Sequence, residues 1–138
     1  MADSISFMPL GSIDAIVFDT ETTGLDARKA RIIQIGGITI AAGAIDAARS
    51  FEALVDPGQP IPPSSTVVHG ISDADVAGKP PFREVYDEFR RFAGTRLLIG
   101  HSIFYDFAIF REECRLAGLP WVQPRSLDLR NLARVAAP

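Results

Sequence analysis

The stretch that decides the fold of this chain is Ala15-Ile16-Val17-Phe18-Asp19-Thr20-Glu21. It opens with four apolar residues and then turns polar, which is typical of a buried central strand, here over about 13–19. In an extended chain, residues i and i+2 project from the same face. Asp19 and Glu21 can therefore direct their carboxylates to one place at the end of this strand.

The residues on either side predict an alternation of strands and helices around this strand. Further strands are expected at about 32–40, 50–55 and 97–100 and near Leu127, and helices after Pro80-Pro81, at about 104–117 and at about 129–135. Gly43 lies in the expected hairpin, and the prolines of 56–63 predict a loop. This order predicts an α/β fold with a mixed five-stranded sheet, whose later strands are joined by right-handed crossovers.

A third carboxylate is expected at the same edge of the sheet. Asp106 follows the fourth strand directly, and if that strand runs parallel to the first and beside it, their carboxyl ends meet where ligand sites form in open α/β sheets. Three converging carboxylates repel one another, so a divalent cation is the natural counter-charge. A site of oxygen ligands only favours Mg²⁺ or Mn²⁺ over zinc.

Composition limits the class of protein but does not identify it. The 138 residues fit one domain, with 47% apolar and 22% charged residues, and the net charge of −3 does not indicate nucleic-acid binding. Cys114 is the single cysteine, which suits a reducing cytoplasm. No apolar run approaches the ~18 residues of a membrane span. We expect an N-terminal extension over 1–12, without the features of a signal peptide, and a domain over 13–138.

Six segments of the chain resemble one known family. They are Phe18-Asp19-Thr20-Glu21-Thr22-Thr23-Gly24-Leu25, Ile32-Ile33-Gln34-Ile35-Gly36, Val68-His69-Gly70-Ile71, Lys79-Pro80-Pro81-Phe82, Gly100-His101-Ser102-Ile103-Phe104-Tyr105-Asp106 and Asp128-Leu129-Arg130-Asn131-Leu132-Ala133-Arg134. In order and spacing they resemble the DnaQ-like (DEDD) 3′→5′ exonucleases, which include the proofreading epsilon subunit of bacterial DNA polymerase III. The first segment resembles the family's first motif, and the fifth resembles the second, commonly His-Asn-x-x-Phe-Asp.

The resemblance implies an RNase H-like fold with helices on both faces of the sheet, and a two-metal site. Asp19, Glu21 and Asp106 would be the catalytic carboxylates and would ligate two Mg²⁺ or Mn²⁺ ions. The residues that would bind the terminal nucleotide are Thr22, Thr23, Gly24, Leu25 and His69, with Leu25 wedged against the base. For His69, a histidine on a surface loop is the alternative interpretation.

Two departures from the family pattern affect what is expected. Ser102 replaces the usual Asn, and the third motif, His-x-x-x-x-Asp on a C-terminal helix, is absent. That motif supplies the general base and a fourth carboxylate. We therefore expect that the chain stops before the site is complete, that it is inactive or impaired by itself, and that the missing C-terminal helices leave an exposed apolar face near Ile16, Phe18 and Leu98.

The function implied is metal-dependent release of nucleoside monophosphates from DNA 3′ ends, in proofreading or repair. The expected partners are single-stranded or frayed DNA 3′ ends and a DNA polymerase subunit or fused C-terminal domain, with no membrane. Two alternatives stay open. One is the same chemistry on RNA, which Thr22-Thr23 after Glu21 argues against only weakly. The other is a non-catalytic module that binds nucleic-acid ends.

Overall fold

The computed structural model describes residues 10–131, in which a mixed sheet forms the centre of the fold. The strands are β1 (Ala15–Thr22), β2 (Ile32–Ala41), β3 (Ala44–Leu54), β4 (Leu97–Gly100) and β5 (Ser126–Asp128). The helices are α1 (Pro63–His69), α2 (Asp73–Val76), α3 (Phe82–Ala93) and α4 (Ile103–Ala117). The predicted helix at 129–135 lies partly outside the described residues, as does most of the predicted extension over 1–12.

The strand order β3-β2-β1-β4-β5 places β1 in the middle of the sheet. β1 pairs antiparallel with β2 and parallel with β4, with Ile16 opposite Leu98. β2 pairs antiparallel with β3, and β4 pairs parallel with β5. The predicted five-stranded mixed sheet is confirmed, and so is the parallel pairing that brings the carboxyl ends of β1 and β4 to one edge.

One face of the sheet is packed against α3 and α4 through aromatic side chains. The Phe18 ring centroid on β1 lies 5.9 Å from that of Phe89 on α3, and 6.1 Å from those of Phe107 and Phe110 on α4. Burial of each such ring stabilises the fold by about 1.5–3 kcal/mol. These contacts fix the position of α4, and with it the position of Asp106.

The expectation of an exposed apolar face near Ile16, Phe18 and Leu98 is wrong. These side chains are 0%, 4% and 3% exposed. The chain passes from β3 through α3 to β4, and from β4 through α4 to β5, in the same direction across the sheet. Right-handed crossovers in one direction place both helices on one face, and this is the face that carries the three residues.

The segment before α3 contains more structure than the sequence pattern predicts. The proline-rich loop ends at Pro62, and α1 begins at Pro63, in the first helical position, where proline is well tolerated. None of the residues of α1 is buried, so it lacks the apolar spacing from which a helix is predicted. The third strand is also longer than expected; its first half is mostly exposed and shows no alternation of buried and exposed residues from which a strand is predicted. None of the described helices is long and apolar enough to cross a membrane.

A buried ion pair connects α4 to the start of β2. Glu113 on α4 is 2% exposed, and its Oε1 accepts hydrogen bonds from Arg31 Nε at 2.9 Å and from the Ile32 backbone nitrogen at 3.0 Å. The Arg31 side chain is 30% exposed. The pair therefore holds the helix that bears Asp106 against the turn that follows β1.

Replacement of Arg31 by Met should lower the free energy of unfolding by about 2–3 kcal/mol, because it leaves the Glu113 carboxylate buried without its cation. Adding Glu113→Gln should restore at least half of this loss, since the amide oxygen still accepts the Ile32 N–H. The measurement is urea unfolding. Arg28→Met is the control, because Arg28 pairs with Asp26 in solvent and should cost less than ~1 kcal/mol. Equal losses for Arg31→Met and Arg28→Met would contradict this account.

Candidate active site

Two of the predicted carboxylates extend from the same face of β1. Asp19 lies opposite Gly36 in the antiparallel pair with β2, and Glu21 lies opposite Gln34. A Cβ atom at Gly36 would meet no heavy atom within 4 Å, so the space beside Asp19 is open. Asp19 is exposed and Glu21 half-buried, which leaves both carboxylates accessible to a ligand from solvent.

The third carboxylate, Asp106, lies in the first turn of α4 and is only 6% exposed. Its Oδ1 accepts a hydrogen bond of 2.6 Å from Thr20 Oγ1. Because side chains alternate along a strand, Thr20 projects from the face of β1 opposite to Asp19 and Glu21. Asp106 is thus at the predicted edge of the sheet but is turned toward the α4 side of it.

The electrostatics of the site are unfavourable in the absence of a cation. The pKa of Asp106 is raised to about 6, chiefly by burial; the Thr20 hydrogen bond lowers it, and the charge of Asp19 contributes to the rise. Burial and the charge of Asp19 also raise the pKa of Glu21, against the smaller effect of His69. Asp19 is therefore close enough to oppose the ionisation of both other carboxylates.

This donor set fits a divalent cation in its chemistry, because a hard cation would relieve the repulsion and prefers carboxylate oxygens. Its geometry is less complete. Among residues 10–131, no three acidic, histidine or cysteine side chains lie close enough together to ligate one ion. Asp106 is bonded to Thr20, whose side chain lies on the other face of β1 from Asp19 and Glu21, so the predicted convergence of the three carboxylates is only partial.

The junction between β4 and α4 is held by Asp128, which was not among the predicted site residues. Ser102 precedes α4 with φ of 55°, a left-handed conformation uncommon for a residue other than glycine. Its backbone nitrogen donates to Asp128 Oδ1 at 3.2 Å. Arg130 holds the pKa of the Asp128 carboxyl down to about 2 through side-chain and backbone hydrogen bonds, and Ser102 adds to this effect. Asp128 therefore helps to fix where α4 begins, and with it the position of Asp106.

The turn after β1 is tied to several distant parts of the chain. Thr23 is 4% exposed, and its Oγ1 accepts hydrogen bonds from the Arg31 nitrogen at 2.9 Å and from Gln59 Nε2 at 3.0 Å. Its carbonyl oxygen accepts from Ser65 Oγ of α1 at 2.7 Å. The Thr23 side chain therefore supports the turn from inside the protein and does not face solvent.

His69 lies at the end of α1 and also contacts the turn. Its Nδ1 accepts the Ile71 N–H at 3.1 Å, so its Nε2 carries the hydrogen and donates to the Thr22 carbonyl at 3.2 Å. Both ring nitrogens are thus occupied within the protein. The structure places His69 beside the predicted pocket, where it holds the backbone of the turn.

Leu25 stands out because its side chain is 91% exposed. It comes directly after the well-anchored residues 22–24 and lies at the end of the strand that bears Asp19 and Glu21. An exposed apolar side chain on a rigid turn is well suited to contact a planar apolar ligand. The structure thus gathers the predicted residues around one edge of the sheet. Further contributors, not predicted as site residues, are Thr20, Asp128 and Tyr105, whose hydroxyl donates to the Gly24 carbonyl.

A mixed sheet in the order β3-β2-β1-β4-β5, with acidic residues at the end of β1 and at the start of the helix after β4, defines an RNase H-like fold of the class found in nucleases. Residues 16–138 match the sequence profile of the exonuclease family of the RNase T type. The chain belongs to this family, which confirms the resemblance found in the sequence.

Named relatives are consistent with this assignment. A DNA polymerase III subunit epsilon-like protein of Rhodobacter capsulatus is 40% identical over 117 residues, which are 84% of this chain and 17% of that protein. The DNA polymerase III subunit epsilon of Treponema pallidum is 33% identical over 121 residues, or 88% of this chain and 55% of that protein. Exonuclease X, solved in complex with 5′ overhanging duplex DNA, superposes with a TM-score of 0.71 at 27% identity, covering 90% of this chain and 64% of that one. The chain thus spans from under a fifth to just over a half of the length of these two sequence relatives.

Replacement of Asp106 by Asn should stabilise the metal-free protein at pH 8. The folded-state pKa of about 6 lies above the usual 3.8. The contribution of Asp106 to the free energy of unfolding is therefore most favourable below about pH 4 and is lost as the pH rises through 6. Asn still accepts the Thr20 hydrogen bond but carries no charge, and it should gain about 1–3 kcal/mol at pH 8. Thermal melting in EDTA at pH 8 and pH 4 measures the difference, which should shrink at pH 4.

The same variant should lose much of the stabilisation that Mn²⁺ gives to wild type, because one of the proposed ligands is gone. Asp87→Asn on the exposed face of α3 serves as the control and should behave like wild type in both tests. A lower melting temperature for Asp106→Asn in EDTA at pH 8 would show that the buried charge is not a source of instability.

Proposed function

We propose that this chain provides the metal-dependent 3′→5′ exonuclease domain, over residues 13–138, of a protein that releases nucleoside monophosphates from DNA 3′ ends in proofreading or repair. The observation that carries the proposal is the position of the exposed Leu25. It stands on a rigid turn at the end of the strand that bears Asp19 and Glu21, at the edge that Asp106 shares. Membership of the exonuclease family supports the nuclease activity.

The three carboxylates would hold two Mg²⁺ or Mn²⁺ ions. Asp19 would be a ligand of both ions, Glu21 of the first and Asp106 of the second; the Asp106 carboxylate would have to turn away from Thr20 to do so. The ions would supply positive charge that stabilises the attacking and leaving oxygens of the phosphodiester. The protein contributes a fixed edge of the sheet, a helix start secured by Asp128 and an open space beside Asp19 into which the terminal phosphate fits.

The turn would bind the terminal nucleotide. Leu25 would insert beside the last base once that base has left the stack. Because Gly24 has no side chain, the sugar could approach the backbone closely there. A Cβ at Gly24 would meet no heavy atom within 4 Å in the described structure, so packing within the protein does not require a glycine there. Thr23 and His69 would act from beneath, by holding the backbone of the turn in place.

DNA is the proposed substrate because the named relatives are DNA polymerase III subunits and a DNA-bound exonuclease. We further propose that the domain works with a DNA polymerase subunit or as part of a larger polypeptide. A non-catalytic module that binds nucleic-acid ends is the competing function. The orientation of Asp106 toward Thr20 is the observation that favours it.

Replacement of Asp19 by Asn in the protein that contains this domain should lower kcat by ~10²-fold or more, since Asp19 is the proposed ligand of both ions. The assay follows the products from oligonucleotides labelled at the 5′ end and at the 3′ end, with Mn²⁺ present. The wild type should shorten the strand one nucleotide at a time from its 3′ end. Asp87→Asn should retain wild-type turnover. Near-normal turnover of Asp19→Asn would refute the site, and binding of DNA ends without any cleavage would favour the non-catalytic module.

Wild-type protein should degrade single strands and mismatched duplex ends at least tenfold faster than matched ends, because extracting a stacked, paired base costs a few kcal/mol. Leu25→Ala should reduce kcat/KM most on matched ends, where the wedge must offset unstacking. It should leave the melting temperature unchanged, since the side chain is 91% exposed. Val122→Ala is the matched control, an exposed apolar residue far along the chain. Equal rates on all three substrates would exclude proofreading but not nuclease chemistry.

A further inference from the structure

The turn that carries Leu25 is held at one atom by two hydroxyl groups. The carbonyl oxygen of Gly24 accepts a hydrogen bond of 2.6 Å from the Tyr105 hydroxyl and one of 2.8 Å from Thr22 Oγ1. The Thr22 bond is local to the turn. The Tyr105 bond comes from the first turn of α4, 81 residues away in sequence, so it joins two separate parts of the site.

This carbonyl determines the direction in which Leu25 leaves the backbone. The oxygen of Gly24 and the nitrogen of Leu25 belong to one planar peptide unit, and two donors on the oxygen fix the orientation of that plane. The protein leaves the space beside Gly24 open, because a Cβ atom there would meet no heavy atom of a residue beyond its chain neighbours within 4 Å. Leu25 itself is almost fully exposed, so its own side chain contributes little to holding the turn.

The same turn of α4 also carries the third carboxylate. Asp106 is the residue after Tyr105, and its Oδ1 is bonded to Thr20 of β1. Two adjacent side chains of α4 therefore reach two points of the segment 20–24, one at each end. The distance between the carboxylate edge and the exposed Leu25 is thus set by α4 and not only by the local conformation of the turn.

We propose that Tyr105 is a positioning residue that, through the Gly24 carbonyl, sets the place of Leu25 relative to the carboxylate edge. This inference rests on the proposed function, in which Leu25 contacts the terminal nucleotide. Tyr105 does not touch the reacting atoms. Its effect is on how well the nucleotide is bound and aligned.

The test compares Tyr105→Phe with Tyr86→Phe, the same chemical change at the other of the two tyrosines. Tyr86 lies on α3, is 7% exposed, and its hydroxyl interacts with Cys114 instead of the turn. On a single-stranded oligonucleotide, Tyr105→Phe should raise KM about fivefold, the value of one neutral hydrogen bond, with kcat within twofold of wild type. Tyr86→Phe should leave both constants unchanged.

A second measurement is independent of nuclease activity. Hydrogen exchange at the Thr23 amide, which donates to the Arg31 carbonyl at 2.9 Å, should accelerate about fivefold in Tyr105→Phe and not in Tyr86→Phe. Unchanged exchange at the Thr23 amide would overturn the proposal, because the hydroxyl would then not hold the turn. Faster exchange without cleavage by the wild type would mean that the proposed function had failed while the anchoring stood. In that case, binding of thymidine 5′-monophosphate in the presence of Mn²⁺ is compared between wild type and Tyr105→Phe. Weaker binding to Tyr105→Phe would support a nucleotide site that this hydroxyl positions, and equal binding would overturn it.

A double-mutant cycle with Leu25→Ala separates positioning from a general loss of packing. If Tyr105 acts through Leu25, Tyr105→Phe should add less than twofold to KM once the Leu25 side chain has been removed. Full additivity of the two KM effects would show that the hydroxyl acts by another route and would overturn the assignment. Melting temperatures of all variants confirm that each is folded at the assay temperature.

Discussion

The two-residue period of β1 is the constraint on which the rest of the structure depends. Ile16 and Phe18 project from one face of this central strand and are covered by α3 and α4, whereas Asp19 and Glu21 project from the other. A shift of one residue in the pairing of β1 would bury the acids and expose the core. The core and the acidic site are therefore specified by the same few residues, and neither can change register without the loss of the other.

Thr20 continues this alternation to the end of the strand. Its position assigns it to the core face, and there it meets the start of α4 and bonds to Asp106. Asp106 is consequently held by a neutral hydroxyl in a buried setting that raises its pKa to about 6. A site that is unfavourable for its own charges costs stability in the free protein, and such a cost is typical of sites organised to bind an opposite charge.

Most of the sheet could be predicted from sequence, because its strands are apolar runs separated by recognisable turns. The positions of the acidic residues at one edge followed from strand alternation and the expected parallel pairing, and the family resemblance added Leu25 as a residue that would contact the nucleotide. The remaining features depend on contacts between residues far apart in sequence. The orientation of Asp106 depends on a partner 86 residues away, and the burial of Thr23 on Gln59 and α1. Phe18 is covered because two crossovers run in the same direction across the sheet. Helix α1 could not be predicted, because none of its residues is buried.

The turn at residues 22–25 illustrates why a local motif is not a complete description of a site. Four residues supply its sequence, yet its backbone is fixed by Arg31, Gln59, Ser65, His69 and Tyr105. Each of these bonds is worth only about 0.5–1.5 kcal/mol, but they converge on three consecutive residues. Their combined effect is to remove the conformational freedom that an exposed turn would otherwise retain. Because ordering such a turn on ligand binding costs about 1–2 kcal/mol per residue, a turn that is ordered in advance leaves more of the binding energy for the alignment of the nucleotide.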